Sequence, residues 1–178
     1  MTTNKGHEAL QGYLEQLQKI VSCVAQDVCF AYPNNKGRQA LAWSEGAVKL
    51  KREGGTALFI DIGQEVDDPI PENKPAVTTR YYIYSILDAD FKDLIGFHYH
   101  PELDDDPVMY PHIHVYADAD ERFALFNLHK RHIPSGRVAL EDVIEWLVVE
   151  LQVKAIREDW QKILAETRQR FKETRTWA

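Results

Sequence analysis

The chain has 178 residues, of which 44% are hydrophobic and 28% charged, and a formal net charge of −7; this is the length of one ordinary domain with a core of its own. The acidic balance argues against a broad nucleic-acid-binding face, which needs clustered Lys and Arg against phosphates, and no run of about 18 apolar residues is available to cross a bilayer as a helix. The start, MTTNKGHEAL, lacks an apolar signal core, and Cys23 and Cys29 make neither a CxxC pair nor a disulfide framework, so a reducing cytoplasm is the expected setting.

In chain order, Leu10, Leu14, Leu17, Val21 and Val24 recur at helical spacing and predict an amphipathic helix over residues 8–28. YPNNKG (32–37) reads as a turn by its Pro, Asn and Gly content. Strands are expected at 38–43, 47–52 and 57–62, the last two joined by a turn at Glu53-Gly54-Gly55. Residues 67–75, with three prolines, read as a surface loop. TRYYIYSIL (79–87) is apolar on both faces, as a central strand would be. Residues 93–100 and 112–117 read as two more strands, and 121–133 reads as strand in preference to helix. Leu140, Val143, Ile144, Leu147 and Val148 then form a helical stripe after the Pro-Ser-Gly boundary, and a last helix is expected over about 157–174. A run of strands with short connections followed by helices implies a single α+β domain: an antiparallel sheet with the N-terminal helix and two C-terminal helices packed on one face. Residues 154–178 hold seven Lys/Arg against four Asp/Glu, so the acidic excess lies in the rest of the chain. The basic tail is read as a solvated helix face rather than an RNA contact.

The chemistry is concentrated in FHYHPELDDDPVMYPHIHV (97–115), which holds four of the seven histidines in two His-x-His pairs. Side chains alternate across a strand, so His98 and His100 share a face opposite Phe97 and Tyr99, and His112 and His114 share one opposite Ile113 and Val115. If the two strands pair antiparallel with His98 opposite His114, all four imidazoles meet on the exposed sheet face, within reach of one ion. A one-residue slip would separate the pairs. Carboxylates from the intervening loop, Glu102 or Asp104, would complete a ligand shell of His98, His100, His112 and His114 around a divalent metal such as zinc, iron, manganese or nickel. Without a metal, His100, His112 and His114 would serve as general acid and base, with Arg137 clamping a phosphate. His129 and His132, three apart, do not share a strand face and are candidates only for a supporting role on a third strand. Tyr110 and Tyr116 are candidate proton donors, whereas Tyr99 belongs to the core face. Structural hydrogen bonding or simple solvation of the histidines remains the bland alternative.

Several familiar patterns are absent. PHIHVY begins like the histidine-triad motif, but Tyr116 stands where the third histidine belongs. There is no glycine-rich phosphate loop and no Gly-x-Ser-x-Gly elbow. YHPEL, then YPHIHV, then HIPSGRVALEDVIEWLVVEL resembles a small bacterial family with a Pro-His-x-His strand followed by a helix, which includes TumE-type toxins of toxin–antitoxin pairs. The resemblance spans residues 97–151 and carries over to His112 and His114, with His100 beside them. This chain departs from the family in FHYHPEL and in its longer N-terminal part. The resemblance implies a bacterial cytoplasmic protein acting on RNA or paired with a cognate partner protein. Together these features predict a ribonuclease-like hydrolase of phosphodiester bonds, in a metal-dependent or a metal-free form; the alternative is a non-catalytic interaction module built around a structural histidine cluster.

Overall fold

The computed structural model of the protein describes residues 3–44, 46–52, 54–67, 77–101, 108–116 and 131–174. Helix α1 (Thr3–Val21) is followed by strands β1 (Cys29–Pro33), β2 (Arg38–Trp43), β3 (Val48–Leu50), β4 (Leu58–Asp67), β5 (Thr79–Leu87), β6 (Asp93–Tyr99), β7 (His112–Val115) and β8 (Ile133–Pro134). Helices α2 (Leu140–Val149) and α3 (Trp160–Thr174) close the chain. The strands form one antiparallel sheet in the order β1-β2-β4-β5-β6-β7-β8, and β3 pairs with the first half of β4. The fold is α+β, as the element order implies.

The three helices among the described residues pack on the same sheet face. Leu17, Ile20 and Val21 of α1, Val143, Ile144 and Leu147 of α2, and Ile163 and Leu164 of α3 are buried against Ile60, Ile62, Tyr84, Ile86 and Phe97 of the sheet. Burying each such side chain contributes about 1.5–3 kcal/mol. On β4 the even positions, Leu58 to Val66, enter this core and the odd ones face away. Phe97 on β6 meets Trp146 of α2 edge-on, with ring centroids 5.9 Å apart. Phe97 therefore points to the helices, and His98 and His100 point to the other side.

The first helix ends earlier than its apolar spacing suggests. The amides of Cys23 and Val24 donate to the carbonyls of Ile20 and Val21, three residues back, which tightens the last turn. The side chain of Gln18 then holds the exit: its oxygen accepts from the Cys29 amide at 2.8 Å, and its amide donates to the Asp27 carbonyl. This exit leads into β1, which includes Tyr32 and Pro33 of the segment expected to be a turn. β1 lies at the sheet edge, where a proline does not remove a ladder hydrogen bond. The strand expected at 57–62 continues to Asp67. The strand expected over 121–133 lies mostly outside the described residues; its last residue begins β8.

Candidate functional site

β6 and β7 meet in a register that puts His98 opposite His112 and Gly96 opposite His114. This is two residues away from the expected pairing of His98 with His114. An even shift leaves every side chain on its own face, so His98, His100, His112 and His114 still lie together on the side away from the helices. β8 extends the array. Its Ile133 pairs with Ile113 and its Pro134 with His112, which brings His132 alongside His114.

The rings form a contiguous cluster. Ring centroids are 4.6 Å apart for His98 and His114, 4.9 Å for His112 and His114, and 5.5 Å for His98 and His112. His132 lies 4.7 Å from His112 and 4.6 Å from His114. His100 flanks the other end, 4.9 Å from His112 and 5.7 Å from His98. One nitrogen from each of His98, His112 and His114 lies within 4.8 Å of the other two. With metal–nitrogen bonds of 2.0–2.1 Å, tetrahedral ligand nitrogens stand about 3.3–3.4 Å apart, so small ring rotations would bring these three into a coordinating geometry.

Gly96 makes this packing possible. A Cβ built on it would lie 2.5 Å from His98 Nε2 and 3.2 Å from His98 Cδ2. The imidazole of His98 thus occupies the space where any other residue at position 96 would place its side chain, and there it leans toward His114. An isolated glycine inside a strand marks such a close approach. The signal is present in LIGFHYH beside the histidines.

The cluster is buried, which corrects the expectation of an exposed sheet face. His112 is fully buried and His98, His100 and His114 are 8%, 5% and 9% exposed. Strand alternation specifies which side a residue faces but not what covers that side. The Nδ1 of His112 lies 2.9 Å from the Tyr110 carbonyl oxygen. A carbonyl can only accept, so Nδ1 carries the proton and the lone pair of the neutral ring is on Nε2. Orienting a ligand histidine through its other nitrogen is the usual arrangement at metal centres. His98 Nε2 is buried with no hydrogen-bond partner among the described residues. Burial first, and then the neighbouring imidazoles of His114, His112, His100 and His132, push the pKa of His98 down to about 3.

This depression has a stability consequence with a fixed sign. An unfolded histidine titrates near 6.5, so between that pH and about 3 the unfolded chain binds a proton at His98 that the folded chain does not. The contribution is complete above pH 6.5 and is lost as the pH falls toward 3. Metal-free protein in chelator is therefore expected to lose thermal stability on acidification through this window, and His98→Asn to lose less. A wild-type melting temperature that stays level or rises on acidification would contradict this account of the cluster.

The other expected site residues are distributed as follows. Arg137 does not turn toward the histidines. Its guanidinium lies 3.9 Å from the ring centroid of Tyr99, on the helix side of β6, with Nη1 directed at the Thr79 carbonyl. A carbonyl acceptor and an aromatic face hold it there. Tyr116 stacks on His114 at 5.6 Å with an interplanar angle of 18°. Glu102 and the loop aspartates Asp104, Asp105 and Asp106, like His129, lie outside the described residues.

The chain matches no protein-family model, no curated protein and no solved structure. No helix among the described residues is long and apolar enough to cross a membrane. Function has to be argued from the histidine cluster itself.

Proposed function

We propose that the chain is a metal-dependent hydrolase whose centre is held by His98, His112 and His114. The observation that carries this reading is the convergence of three buried imidazole nitrogens within 4.8 Å. It is supported by the glycine that admits His98 and the carbonyl that fixes the tautomer of His112. Three protein ligands leave one position for water or substrate, the pattern of catalytic rather than structural zinc sites. When bound, a zinc-like ion supplies Lewis acidity and water acidified toward a pKa of about 7. The chain's own part is to hold the donors and keep them neutral. Imidazole donors suit zinc, nickel or iron, whereas manganese prefers oxygen and would call on Glu102. A phosphodiester substrate, with RNA as the first to test, and a cognate partner protein rest on the resemblance of residues 97–151 to the toxin family.

The burial of all four rings favours a second reading, in which the cluster is a structural feature of a non-catalytic interaction module. The deciding experiment is elemental analysis of untagged protein beside the His112→Ala/His114→Ala variant. About one equivalent of metal in the wild type, absent from the folded variant, is expected. No bound metal after incubation with each candidate ion would rule out the metal centre. With metal bound, ribonuclease turnover that a chelator abolishes supports the hydrolase. Metal that raises the melting temperature without any turnover supports the structural reading.

A further inference from the structure

On the opposite side of the sheet, beneath α1, a second polar cluster lies at the edge of the core. Its members are Tyr13 of α1, Gln64 of β4, Thr79, Tyr82 and Tyr84 of β5, and Glu141 in the first turn of α2. They line a small cavity with about 30 Å³ of room for the centre of a water-sized probe. A water needs about 10–15 Å³ measured in this way, so the space accommodates a molecule of that size and little more.

The hydrogen bonds around it can be followed atom by atom. The Tyr13 hydroxyl donates to Gln64 Oε1 at 2.8 Å, and Thr79 Oγ1 lies 3.2 Å from the same hydroxyl. Tyr13 has one proton to give, so Thr79 is the donor in the second contact. Gln64 Nε2 donates to the Tyr84 hydroxyl at 2.6 Å, and the Val138 amide donates to the Tyr82 hydroxyl at 2.9 Å. Tyr82 and Tyr84 therefore both accept and still have a proton to place. Glu141 is 3% exposed, with the Thr167 hydroxyl and its own amide beside the carboxyl, and its Oε1 has no hydrogen-bond partner among the described residues. A buried oxygen left without a donor is destabilising.

The cavity wall thus offers phenol protons that need an acceptor and a carboxyl oxygen that needs a donor. A cation would meet the phenol protons and the positive end of α2. An anion would meet the carboxyl. A neutral group that both donates and accepts satisfies every wall atom, and the volume restricts it to the smallest such molecule.

We propose that this cavity is a buried water site, in which an ordered water accepts from Tyr84 or Tyr82 and donates to Glu141 Oε1. The water completes a network joining α1, β4, β5 and α2. On the reverse of β5, Ile83 is paired with His98, so this network forms the rear support of the histidine strand. Burial raises the pKa of the Glu141 carboxyl, and a neutral carboxyl still presents an acceptor oxygen to the water.

High-resolution crystal structures of the full-length wild type, Glu141→Gln and Glu141→Met test the proposal. Expected is one water within about 2.7–3.2 Å of Glu141 Oε1 and a tyrosine hydroxyl. It should be retained with Gln and lost with Met, whose side chain neither donates nor accepts comparably. A dry cavity in the wild type, or Glu141 Oε1 bonded directly to a protein donor, would overturn it. If the Met variant does not fold, the wild-type and Gln structures decide by the same criteria.

Discussion

Gly96→Ala is expected to weaken metal binding by roughly 100-fold, the scale on which a displaced supporting group or ligand acts, without removing a ligand. The added methyl would stand 2.5 Å from His98 Nε2 and 3.3 Å from His98 Cε1. The ring cannot retreat freely, because it is buried with the His114 ring 4.6 Å away and the His112 ring 5.5 Å away. Overpacking of this kind costs about 1–3 kcal/mol, equivalent to roughly 2–12 °C in melting temperature for a chain of this size. Gly63→Ala is the matched control. Gly63 lies on the same sheet face, on β4, and an added Cβ there meets nothing within 4 Å. Titration against a chromophoric chelator reads the affinity, and differential scanning calorimetry reads the stability. Wild-type affinity in Gly96→Ala would remove His98 from the ligand set.

His112→Ala is expected to destabilise the metal-free protein by about 2–4 kcal/mol, in line with large-to-small substitutions at buried sites. His112 is fully buried, and its loss leaves a cavity and removes the donor at 2.9 Å from the Tyr110 carbonyl. The second effect concerns linkage. A ligand at 100 times its Kd stabilises the state it binds by about 2.7 kcal/mol, which corresponds to roughly 5–10 °C here. Wild-type protein is expected to show this rise on addition of zinc, and His112→Ala to show none. A variant that is destabilised but keeps the full zinc-dependent rise would reduce His112 to a packing role.

Much of this arrangement was legible in the alternation of two short segments. Phe97, Tyr99, Ile113 and Val115 reveal which side of β6 and β7 faces the helices, and the histidines follow by parity alone. Register was not legible, because the connection between the strands is too long to impose one turn geometry. The two-residue difference was harmless only because it was even. Burial was also out of reach, since a period of two says nothing about what lies over the second face. The spacing of His132 from His129 suggests no common strand face, whereas its position follows from the pairing of Ile133 with Ile113. Arg137 shows the same limit: its charge and its place before a helix are visible in sequence, but the Tyr99 ring that holds it is a tertiary contact. β1 is hidden in the sequence because Pro33 and Asn34 punctuate the chain, and an edge position tolerates a strand ending that way.

The pairing of Gly96 with His114 and of His98 with His112 has a consequence for how such a centre diverges over time. Every proposed ligand position is local to one of two neighbouring strands, and the segment between them contributes none of the three imidazoles. The proposed trio therefore reduces to two short words, Gly-x-His and His-x-His, separated by a spacer that supplies none of its imidazoles. Distant kin of this chain would keep the two words while their alignment across the spacer dissolves.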